Sequence, residues 1–336
     1  MTRVAIAGCG LIGRKRALAL EPGDELLGVF DVAPEAAAAL AKDTGARACS
    51  SLEEFLALGA DVVVVATTHD HLAEVAQAAL DAGSHVLVEK PAGLSARQVE
   101  SVARAAEAAG RRVKVGFNHR FHPGIARAVE LARSGEFGEI MHLRARYGHG
   151  GRVGYDREWR ADAARSGGGE IIDQGMHLLD LTHWLLGEQP LHSALLRTHF
   201  WDTDVDDNAV LILGAAHSRT APWALLHVTW TEWKNLFSLE IYCRTAKLQV
   251  DGLVRSYGPQ RLTVYRMRPE LGPPDVEVVD YPDEDPSWAA EWRHFTQRIA
   301  DGGPLLGDLE SAAFAWRVVE TAYETGGYAS VRAGIA

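Results

Sequence analysis

Three glycines near the start of the chain have the spacing of a phosphate-binding turn. The segment Gly8-Cys-Gly-Leu-Ile-Gly13 follows a short apolar run and opens a helix pattern that begins at Leu11. Glycines at this spacing permit a tight turn and a close approach of the backbone to a pyrophosphate, whose charge the helix N-terminus favours. Asp31 follows Gly13 by 18 residues, the position of the carboxylate that binds a ribose 2′-hydroxyl. Because that carboxylate repels a 2′-phosphate, the sequence predicts NAD as cofactor, with NADP less favoured.

Two further groups of residues have the types and spacing for proton transfer. Glu89-Lys90-Pro91 follows a short apolar run, and a lysine at the carboxyl end of a buried strand can exchange a proton with a substrate oxygen. Pro91 also favours a cis peptide bond after Lys90, since X-Pro bonds lose most of the trans preference. Asp173 and His177 are four residues apart, so one helix over 170–186 would pair a carboxylate with an imidazole as a general base. The alternative interpretations are a surface lysine before a proline and a solvated or core histidine.

The elements around these motifs alternate between strand and helix in the first part of the chain. Strands are predicted over 4–7, 26–30, 61–66, 85–88 and 113–117, and helices over 11–20, 34–44, 72–82 and 95–109. Ser51 and Glu54 predict a capping box at the start of one more short helix. The alternation predicts a doubly wound parallel sheet, which brings residues at the strand ends to one edge.

A different pattern follows residue 120. Alternating apolar runs at 141–147, 191–200, 209–213, 225–230, 238–243, 247–250, 262–266 and 276–281 predict strands. Helices are predicted over 124–134, 170–186, 288–300 and 309–324. The predicted fold class is therefore α/β at the N-terminus, followed by an α+β domain with a large, mostly antiparallel open sheet. A length of 336 residues agrees with two domains of about 150 residues each.

The motifs, in their order along the chain, resemble those of the Gfo/Idh/MocA family of sugar and polyol oxidoreductases. The resemblance rests on the glycine turn, Glu89-Lys-Pro91, the segment Gly-Phe-Asn-His-Arg-Phe-His-Pro at 116–123, and Gly-Gly-Gly followed by Asp173-x-Gly-x-His177-x-x-Asp180. It covers essentially the whole chain. It implies a Rossmann domain for NAD(P) over 1–120 and a domain for substrate binding and oligomerisation over 121–336. The helices at about 288–325 would pack back on the first domain, and the open sheet would assemble homodimers or homotetramers.

The resemblance also implies roles for individual residues. Lys90, Asp173 and His177 are expected to be catalytic. The residues expected to bind the cofactor are Gly8, Cys9, Gly10, Leu11, Ile12, Gly13, Asp31, Val32, Thr67, Glu89, Lys90, Asn118 and Arg160. The residues expected to contact the substrate are Lys90, His119, Tyr147, Arg160, Asp173 and His177.

The predicted activity is reversible hydride transfer between nicotinamide and a secondary alcohol carbon of a cyclic polyol, sugar or sugar derivative. Two enzymatic alternatives stay open: reduction of a nucleotide-linked keto-sugar, and a redox-neutral sugar reaction that uses tightly held NAD. A third is a non-enzymatic dinucleotide-binding regulator, which would lack the lysine or the aspartate and histidine that this chain has. Six arginines could bind the diphosphate of a nucleotide-linked substrate, or could equally be ion-paired surface residues. They are arginines 144, 146, 152, 157, 160 and 165.

Composition argues against several other classes of protein. The net charge of −11 argues against a broad surface for nucleic acid or an anionic membrane. Cys9, Cys49 and Cys243 are too few and too scattered for a disulfide framework, and no uninterrupted apolar stretch reaches 18 residues, so a cytoplasmic protein is expected. No metal site is predicted, because the histidines at 69 and 71 lack a third ligand and Asp207 stands where a calcium loop needs glycine. The segment 202–208 is instead predicted to be an acidic turn before a strand.

Overall fold

The computed structural model describes residues 1–332, and its contacts divide the chain into two compact units. The first unit comprises Met1–Asn118 and Trp288–Ala313, and the second comprises His119–Ser287 and the residues from Phe314 onward. The assignment of the first unit to the cofactor and of the second unit to the substrate stays a prediction. Among the described residues, no helix is both long and apolar enough to cross a membrane.

The N-terminal stretch of the first unit alternates between strand and helix as predicted. Its elements are β1 (Arg3–Ala7), α1 (Leu11–Leu18), β2 (Glu25–Phe30), α2 (Pro34–Thr44), β3 (Arg47–Ala48), α3 (Leu52–Leu56), β4 (Val62–Val65), α4 (His69–Asp81), β5 (His85–Val88), α5 (Ala96–Ala109) and β6 (Val113–Val115). A 3-10 helix, Asn118–Phe121, begins at the boundary between the units.

The first sheet has six strands in the order β3-β2-β1-β4-β5-β6, and every pairing is parallel. Strand β4 is buried along its whole length, as expected for a central parallel strand. The strand β3 was not predicted, since its two residues are exposed and carry no apolar pattern. The predicted doubly wound sheet is confirmed, and its topology places the carboxyl ends of the strands along one edge.

The second unit contains the antiparallel strands and the helices that pack on them. Its elements are α6 (Pro123–Arg133), β7 (Ile140–Gly148), two 3-10 helices (Tyr155–Arg157 and Trp159–Ala161), α7 (Ala163–Ser166), α8 (Glu170–Asp173), α9 (Gly175–Leu186), β8 (Leu191–Arg197), β9 (Asn208–Leu213), β10 (Trp223–Thr229), β11 (Leu236–Cys243), β12 (Ala246–Asp251), a 3-10 helix (Arg255–Tyr257), β13 (Arg261–Arg266) and β14 (Asp275–Asp280). Three helices follow in the sequence: α10 (Ser287–Asp301), which belongs to the first unit from Trp288 onward, α11 (Leu309–Thr325), whose residues up to Ala313 belong to the first unit and the rest to the second, and α12 (Ala329–Arg332) in the second unit.

All eight strands predicted for this region form one sheet, in the order β14-β13-β12-β11-β7-β10-β9-β8. Only the central pair β7 and β10 is parallel among these strands; the other six pairings are antiparallel. Helices α6, α8 and α9 pack on one face, which explains why residues alternate between buried and exposed along most strands. The prediction of a large, mostly antiparallel sheet with one covered face is confirmed.

The helix predicted over 170–186 is interrupted. Helix α8 ends at Asp173 and α9 begins at Gly175, so Gln174 separates Asp173 from His177. The His177 N–H donates to the Gln174 carbonyl at 3.1 Å, a tighter turn than the regular helical bond to residue 173. The prediction of one regular helix that carries Asp173 and His177 four residues apart is therefore wrong, and their pairing as a general base stays a prediction.

Candidate active site

The glycine turn joins β1 to α1 in a conformation that requires glycine. Gly8 has a φ of +93°, and its N–H donates to the Phe30 carbonyl at 2.8 Å. A Cβ at Gly8 would lie 2.3 Å from the Ala66 carbonyl oxygen, and one at Gly13 would lie 1.9 Å from the Gly8 oxygen. Side chains at these two positions would therefore force the turn away from β4 and from the start of its own helix.

The N-terminus of α1 is open in front of the turn. Gly10 is the N-cap residue, and it has no side chain with which to satisfy the first N–H groups of the helix. Among the described residues, no atom outside the immediate chain comes within 4 Å of a Cβ built at Gly10. This space and the unsatisfied donors fit the pyrophosphate of a dinucleotide.

Asp31 lies against the same turn. Its carboxylate accepts the Cys9 N–H at 2.7 Å and the Ala33 N–H at 2.9 Å, so it is fixed where β2 ends. Burial, and then Asp31, raise the pKa of the Cys9 thiol to about 12, so this side chain is a neutral, buried thiol. Leu11 and Val32 are 71% and 83% exposed on either side, which provides apolar surface beside the turn.

The remaining candidates of the first unit also follow strand ends. Thr67 comes after β4, and its backbone nitrogen would lie 2.7 Å from a Cβ at Gly8. Glu89 and Lys90 come after β5; Glu89 is buried, Lys90 is half-buried, and the peptide bond before Pro91 is cis, as the sequence favours. Asn118 is buried at the start of its 3-10 helix. The fold thus collects the glycine turn, Asp31, Thr67 and Lys90 at one edge of the sheet.

In the second unit, His119, Tyr147 and His177 form one aromatic group. The imidazole rings of His119 and His177 are stacked, with centroids 3.8 Å apart and an interplanar angle of 26°. The Tyr147 ring lies 5.2 Å from His119 and 6.2 Å from His177. These three predicted substrate residues come from the 3-10 helix 118–121, β7 and α9, and the fold brings them together.

Asp173 belongs to a neighbouring polar group. Its carboxylate accepts a hydrogen bond from the Tyr155 hydroxyl at 3.2 Å and pairs with the Arg160 guanidinium at 3.7 Å. His149, Glu170 and Asp173 place possible metal-ligand atoms within 4.8 Å of one another, although the sequence predicts no metal site. Because the positive charge of Arg160 already pairs with Asp173, we treat this group as polar lining of the site.

Three tyrosines lie near these carboxylates: Tyr155 is buried, and Tyr147 and Tyr257 are half-buried. Burial raises the pKa of Tyr147, Tyr155 and Tyr257 above the usual value, and the negative charges of Asp173 and Glu170 add to the effect. The three phenols therefore keep their protons and can act only as hydrogen-bond donors or neutral acceptors at ordinary pH. The Tyr257 hydroxyl accepts a hydrogen bond from the Gln174 amide at 3.0 Å.

Two buried aspartates support this part of the unit. The Asp206 carboxylate accepts the N–H groups of Gly169 at 3.1 Å and Ile171 at 2.9 Å, and it also binds the Tyr323 hydroxyl. Asp207 accepts the N–H groups of three consecutive residues, 199 to 201, at 2.7 to 3.1 Å. The segment 202–208, predicted to be an acidic turn before a strand, therefore has two of its carboxylates fully buried as backbone acceptors.

Ion pairs involve at least three of the six arginines considered for a diphosphate. Arg144 pairs with Glu240 at 2.9 Å, Arg152 with Glu158 at 2.7 Å, and Arg160 with both Glu158 and Asp173. Arg144 and Arg146 also lie on the sheet face opposite the helices, since they alternate with the buried Leu143 and Ala145. These positions favour the interpretation of ion-paired surface residues.

The sequence did not identify two residues that stand in the polar group. Tyr155 and Glu170 are both buried beside Asp173, yet neither was named as a candidate. A usable signal existed for Glu170, since it is a lone acidic residue between three glycines and Ile171-Ile172. Tyr155 offered none, because its neighbours in sequence have no apolar or helical period.

The fold is that of a two-unit protein with a doubly wound parallel sheet of the nucleotide-binding type and an open, mostly antiparallel sheet. Two family models match the chain: the oxidoreductase family with an NAD-binding Rossmann fold over residues 2–117, and the Gfo/Idh/MocA C-terminal domain over residues 125–249. The chain belongs to the Gfo/Idh/MocA family of NAD-binding oxidoreductases.

Several characterised proteins are similar to this chain. Glucose-6-phosphate 3-dehydrogenase of Bacillus subtilis is 28% identical over 63% of this chain and 62% of its own length. The myo-inositol dehydrogenase Hyg17 of Streptomyces leeuwenhoekii is 31% identical over 55% of this chain and 56% of its own length. Both matches thus span less than two thirds of the relative. The crystal structure of GenD2 from gentamicin A biosynthesis, in complex with NAD, has a TM-score of 0.82, 25% identity, and coverage of 97% of this chain and 94% of its own.

Proposed function

We propose that this protein is an NAD-dependent dehydrogenase of a cyclic polyol, a sugar or a sugar derivative. The observation that carries the proposal is the placement of Lys90 at the same sheet edge as the glycine turn. A lysine at that edge stands where ligands bind in doubly wound sheets. The chain also has Asp173 and His177, which a dinucleotide-binding regulator would not need.

The residues of the first unit that would hold NAD are those around the glycine turn. The N–H groups at the start of α1 would bind the pyrophosphate, and Asp31 would accept hydrogen bonds from the ribose. Leu11 and Val32, both exposed, would cover the adenosine end. When bound, NAD supplies a nicotinamide ring that accepts or releases a hydride.

The roles of the chain's own groups follow from their chemistry. His177 would take the proton of the substrate hydroxyl, with Asp173 stabilising the protonated ring. Lys90 would donate a hydrogen bond to the oxygen on which negative charge develops. The proposal allows Lys90 and His177 to exchange these two roles. Asn118 and Arg160 would contact the cofactor, and His119 and Tyr147 would line the substrate site.

The names of the relatives support the substrate class. The names of the two sequence relatives refer to glucose 6-phosphate and myo-inositol, and both of these compounds carry secondary hydroxyl groups on a ring. A UDP-N-acetylglucosamine 3-dehydrogenase of Acidithiobacillus ferrooxidans is also 31% identical over 56% of this chain and of its own length, which keeps a nucleotide-linked substrate open. The ion pairs of Arg144, Arg152 and Arg160 weigh against that alternative, because each guanidinium is already partly neutralised.

We also propose that a second copy of the chain covers the open face of the second sheet. Trp223 and Leu225 alternate with the buried Ala224 and Leu226, so they point away from the helices. Val276 and Val278 at the sheet edge are 56% and 50% exposed. Light scattering on the purified protein measures its oligomeric state. We expect the wild type to be a dimer or tetramer and Leu225→Asp to form a smaller oligomer or a monomer. A monomeric wild type would contradict the proposal.

We further propose a cytoplasmic location. The three cysteines are free thiols and are all buried, as is usual in a reducing compartment. Fractionation of cells that express the tagged protein tests the location, and recovery in an exported fraction would contradict it.

The experiment that tests the dehydrogenase proposal follows the absorbance of reduced cofactor with NAD or NADP and a panel of inositols, free sugars and nucleotide sugars. We expect NADH to form with at least one cyclic alcohol. Lys90→Ala and His177→Ala should lose turnover by about 100-fold or more while cofactor binding stays near normal. The exposed residues Lys42 and His217 provide matched alanine controls.

Two outcomes would contradict the dehydrogenase proposal. Unchanged turnover in both Lys90→Ala and His177→Ala would remove the assigned roles. An absence of signal with every alcohol, together with bound cofactor that never exchanges, would favour the redox-neutral alternative.

A further inference from the structure

Four charged side chains are buried together in the first unit, next to the segment that carries Lys90. They are Arg16 on α1, Glu89 after β5, Lys114 on β6 and Glu291 on α10, and each is at most 8% exposed. We propose that Arg16 and Glu291 are positioning residues, which fix the Glu89 carboxylate and thereby the placement of the Lys90 amine. The inference rests on the proposed catalytic role of Lys90.

Arg16 is the centre of this charged cluster. Its Nε and Nη2 atoms lie 2.6 and 2.5 Å from Glu89 Oε1, and its Nη1 lies 2.6 Å from Glu291 Oε2. The indole ring of Trp288 lies 4.5 Å from the guanidinium carbon. The helix that starts at the phosphate-binding turn thus reaches Glu89 through Arg16.

Lys114 completes the charge balance. Its Nζ lies 3.5 Å from Glu291 Oε1 and also donates to the Leu306 carbonyl. The cluster therefore contains two positive and two negative groups, which is the condition under which buried charges are tolerated. Neutralising any one member leaves an uncompensated charge, so we expect the others to shift.

Glu89 is coupled to Lys90 through both backbone and charge. The Glu89 N–H donates to the Val65 carbonyl, and the Ala92 N–H donates back to the Glu89 carbonyl, each at 2.9 Å. Lys90 therefore lies inside a turn that is anchored at Glu89 by two backbone bonds and by the ion pair with Arg16. Burial raises the pKa of the Glu89 carboxyl, while the positive charges of Arg16 and Lys90 oppose that rise.

Gly116 offers a way to disturb the cluster without changing its charges. It follows β6, and a Cβ there would lie 2.6 Å from Arg16 Nη2 and 2.9 Å from Glu89 Oε2. One added methyl group must therefore displace the ion pair. Gly23 is the matched control, since no atom of the described chain outside its neighbours lies within 4 Å of a Cβ there.

The test uses Glu291→Gln and Gly116→Ala in the full-length protein. Trp292→Phe is the second control: Trp292 neighbours Glu291 on α10, and its Nε1 donates to Asp24 at 2.7 Å. This control removes a hydrogen bond of the same helix without touching Glu89. The measurement is the rate of acetylation of Lys90 by acetic anhydride across a pH series, relative to the exposed Lys42, quantified by mass spectrometry.

We expect Glu291→Gln and Gly116→Ala to change the relative reactivity of Lys90 by about threefold or more and to move its pH midpoint. With a substrate in hand, kcat should fall about tenfold while the Kd for NAD stays within about threefold, since a misplaced catalytic group costs turnover. Gly23→Ala and Trp292→Phe should change neither quantity. Equal effects in test and control variants would overturn the inference and leave only a structural role for the cluster.

The labelling experiment is independent of the substrate. If no sugar or polyol is oxidised, the proposed function fails, yet the reactivity of Lys90 still decides whether the cluster positions it. If Glu291→Gln does not fold, Gly116→Ala decides the question alone, because it keeps all four charges.

Discussion

The guanidinium group of Arg120 forms two hydrogen bonds with the carboxylate of Asp180, 2.8 Å from Nε and 2.6 Å from Nη2. Both side chains are buried, and the pair joins the 3-10 helix 118–121 to α9. His119 precedes Arg120, and His177 lies one turn before Asp180 on α9. The ion pair thus fixes the two segments whose imidazole rings are stacked.

Breaking this pair should destabilise the second unit strongly. We expect Asp180→Ala to lower the free energy of unfolding by about 3 to 5 kcal/mol, because the buried guanidinium of Arg120 loses the carboxylate that binds it through two hydrogen bonds. Urea unfolding followed by circular dichroism measures the effect. The exposed pair of Arg127 and Glu130 is the control, and Arg127→Ala should cost at most about 0.5 kcal/mol. A similar small loss in both variants would show that the buried pair contributes little.

Tyr155→Phe should weaken catalysis through Asp173. The substitution removes the hydroxyl that donates to the Asp173 carboxylate at 3.2 Å and leaves the ring in place. We expect kcat to fall about five- to tenfold with the Kd for NAD unchanged, because one hydrogen bond that orients the carboxylate is lost. Tyr281→Phe, at a half-buried position on another loop, is the control. If the effect of Tyr155→Phe persists undiminished in an Asp173→Ala background, the two residues do not act together.

Asp31→Asn should reduce the preference for NAD over NADP. The side-chain oxygen can still accept the Cys9 N–H, but the negative charge that repels a 2′-phosphate is removed. We expect the ratio of the two dissociation constants to shift toward NADP by about tenfold. Titration of protein fluorescence with each cofactor measures both constants, and the exposed Asp43 provides an Asp→Asn control. An unchanged ratio would mean that Asp31 does not face the ribose.

His294 should make the first unit sensitive to acid. Its Nε2 accepts the Leu306 N–H at 3.0 Å, and burial, reinforced by Lys114, lowers the pKa of the imidazole to about 4 from 6.5. Between these values the unfolded chain binds the proton more readily, so stability is lost as the pH falls from about 6.5 toward 4. His294→Gln keeps an acceptor but does not titrate.

Thermal unfolding of both proteins at pH 7 and pH 5 checks this expectation. Between pH 7 and pH 5, the melting temperature of the wild type should fall by more than that of His294→Gln. Parallel losses in the two proteins would assign the acid sensitivity to other groups.

Much of the fold could be predicted because its elements are marked by local patterns. Helix α2 begins at a proline and ends before Gly45 as predicted, and α5 follows its Ser95 cap, whose side chain accepts the Gln98 N–H. The expected capping box at Ser51 is only half formed: Ser51 accepts the Glu54 N–H, but the Glu54 carboxylate binds Ser50 instead of reaching back to the cap residue. Whether the Glu54 carboxylate binds Ser50 or the Ser51 N–H depends on the residue before the cap, which the capping-box motif does not specify.

The site was harder to predict because its contacts join distant segments. The motifs predicted roles for Lys90, Asp173 and His177, which stay predictions, but the break of the helix at Gln174 could not be seen in the periodicity of the sequence. The sequence around Asp206 and Asp207 indicated only an acidic turn before a strand, because the two carboxylates accept N–H groups of residues distant in sequence or in another segment, such as Gly169 and His199. The same applies to Glu291, which lies 275 residues from Arg16 in sequence.

The one parallel pairing in the second sheet has a consequence for how this protein can diversify. Strands β7 and β10 are central neighbours, and a parallel pair needs a long crossover connection. That connection runs over 149–222 and contains Tyr155, Arg160, Asp173 and His177. Substitutions within the crossover can therefore change the residues proposed to contact the substrate without altering the residues that pair the two middle strands.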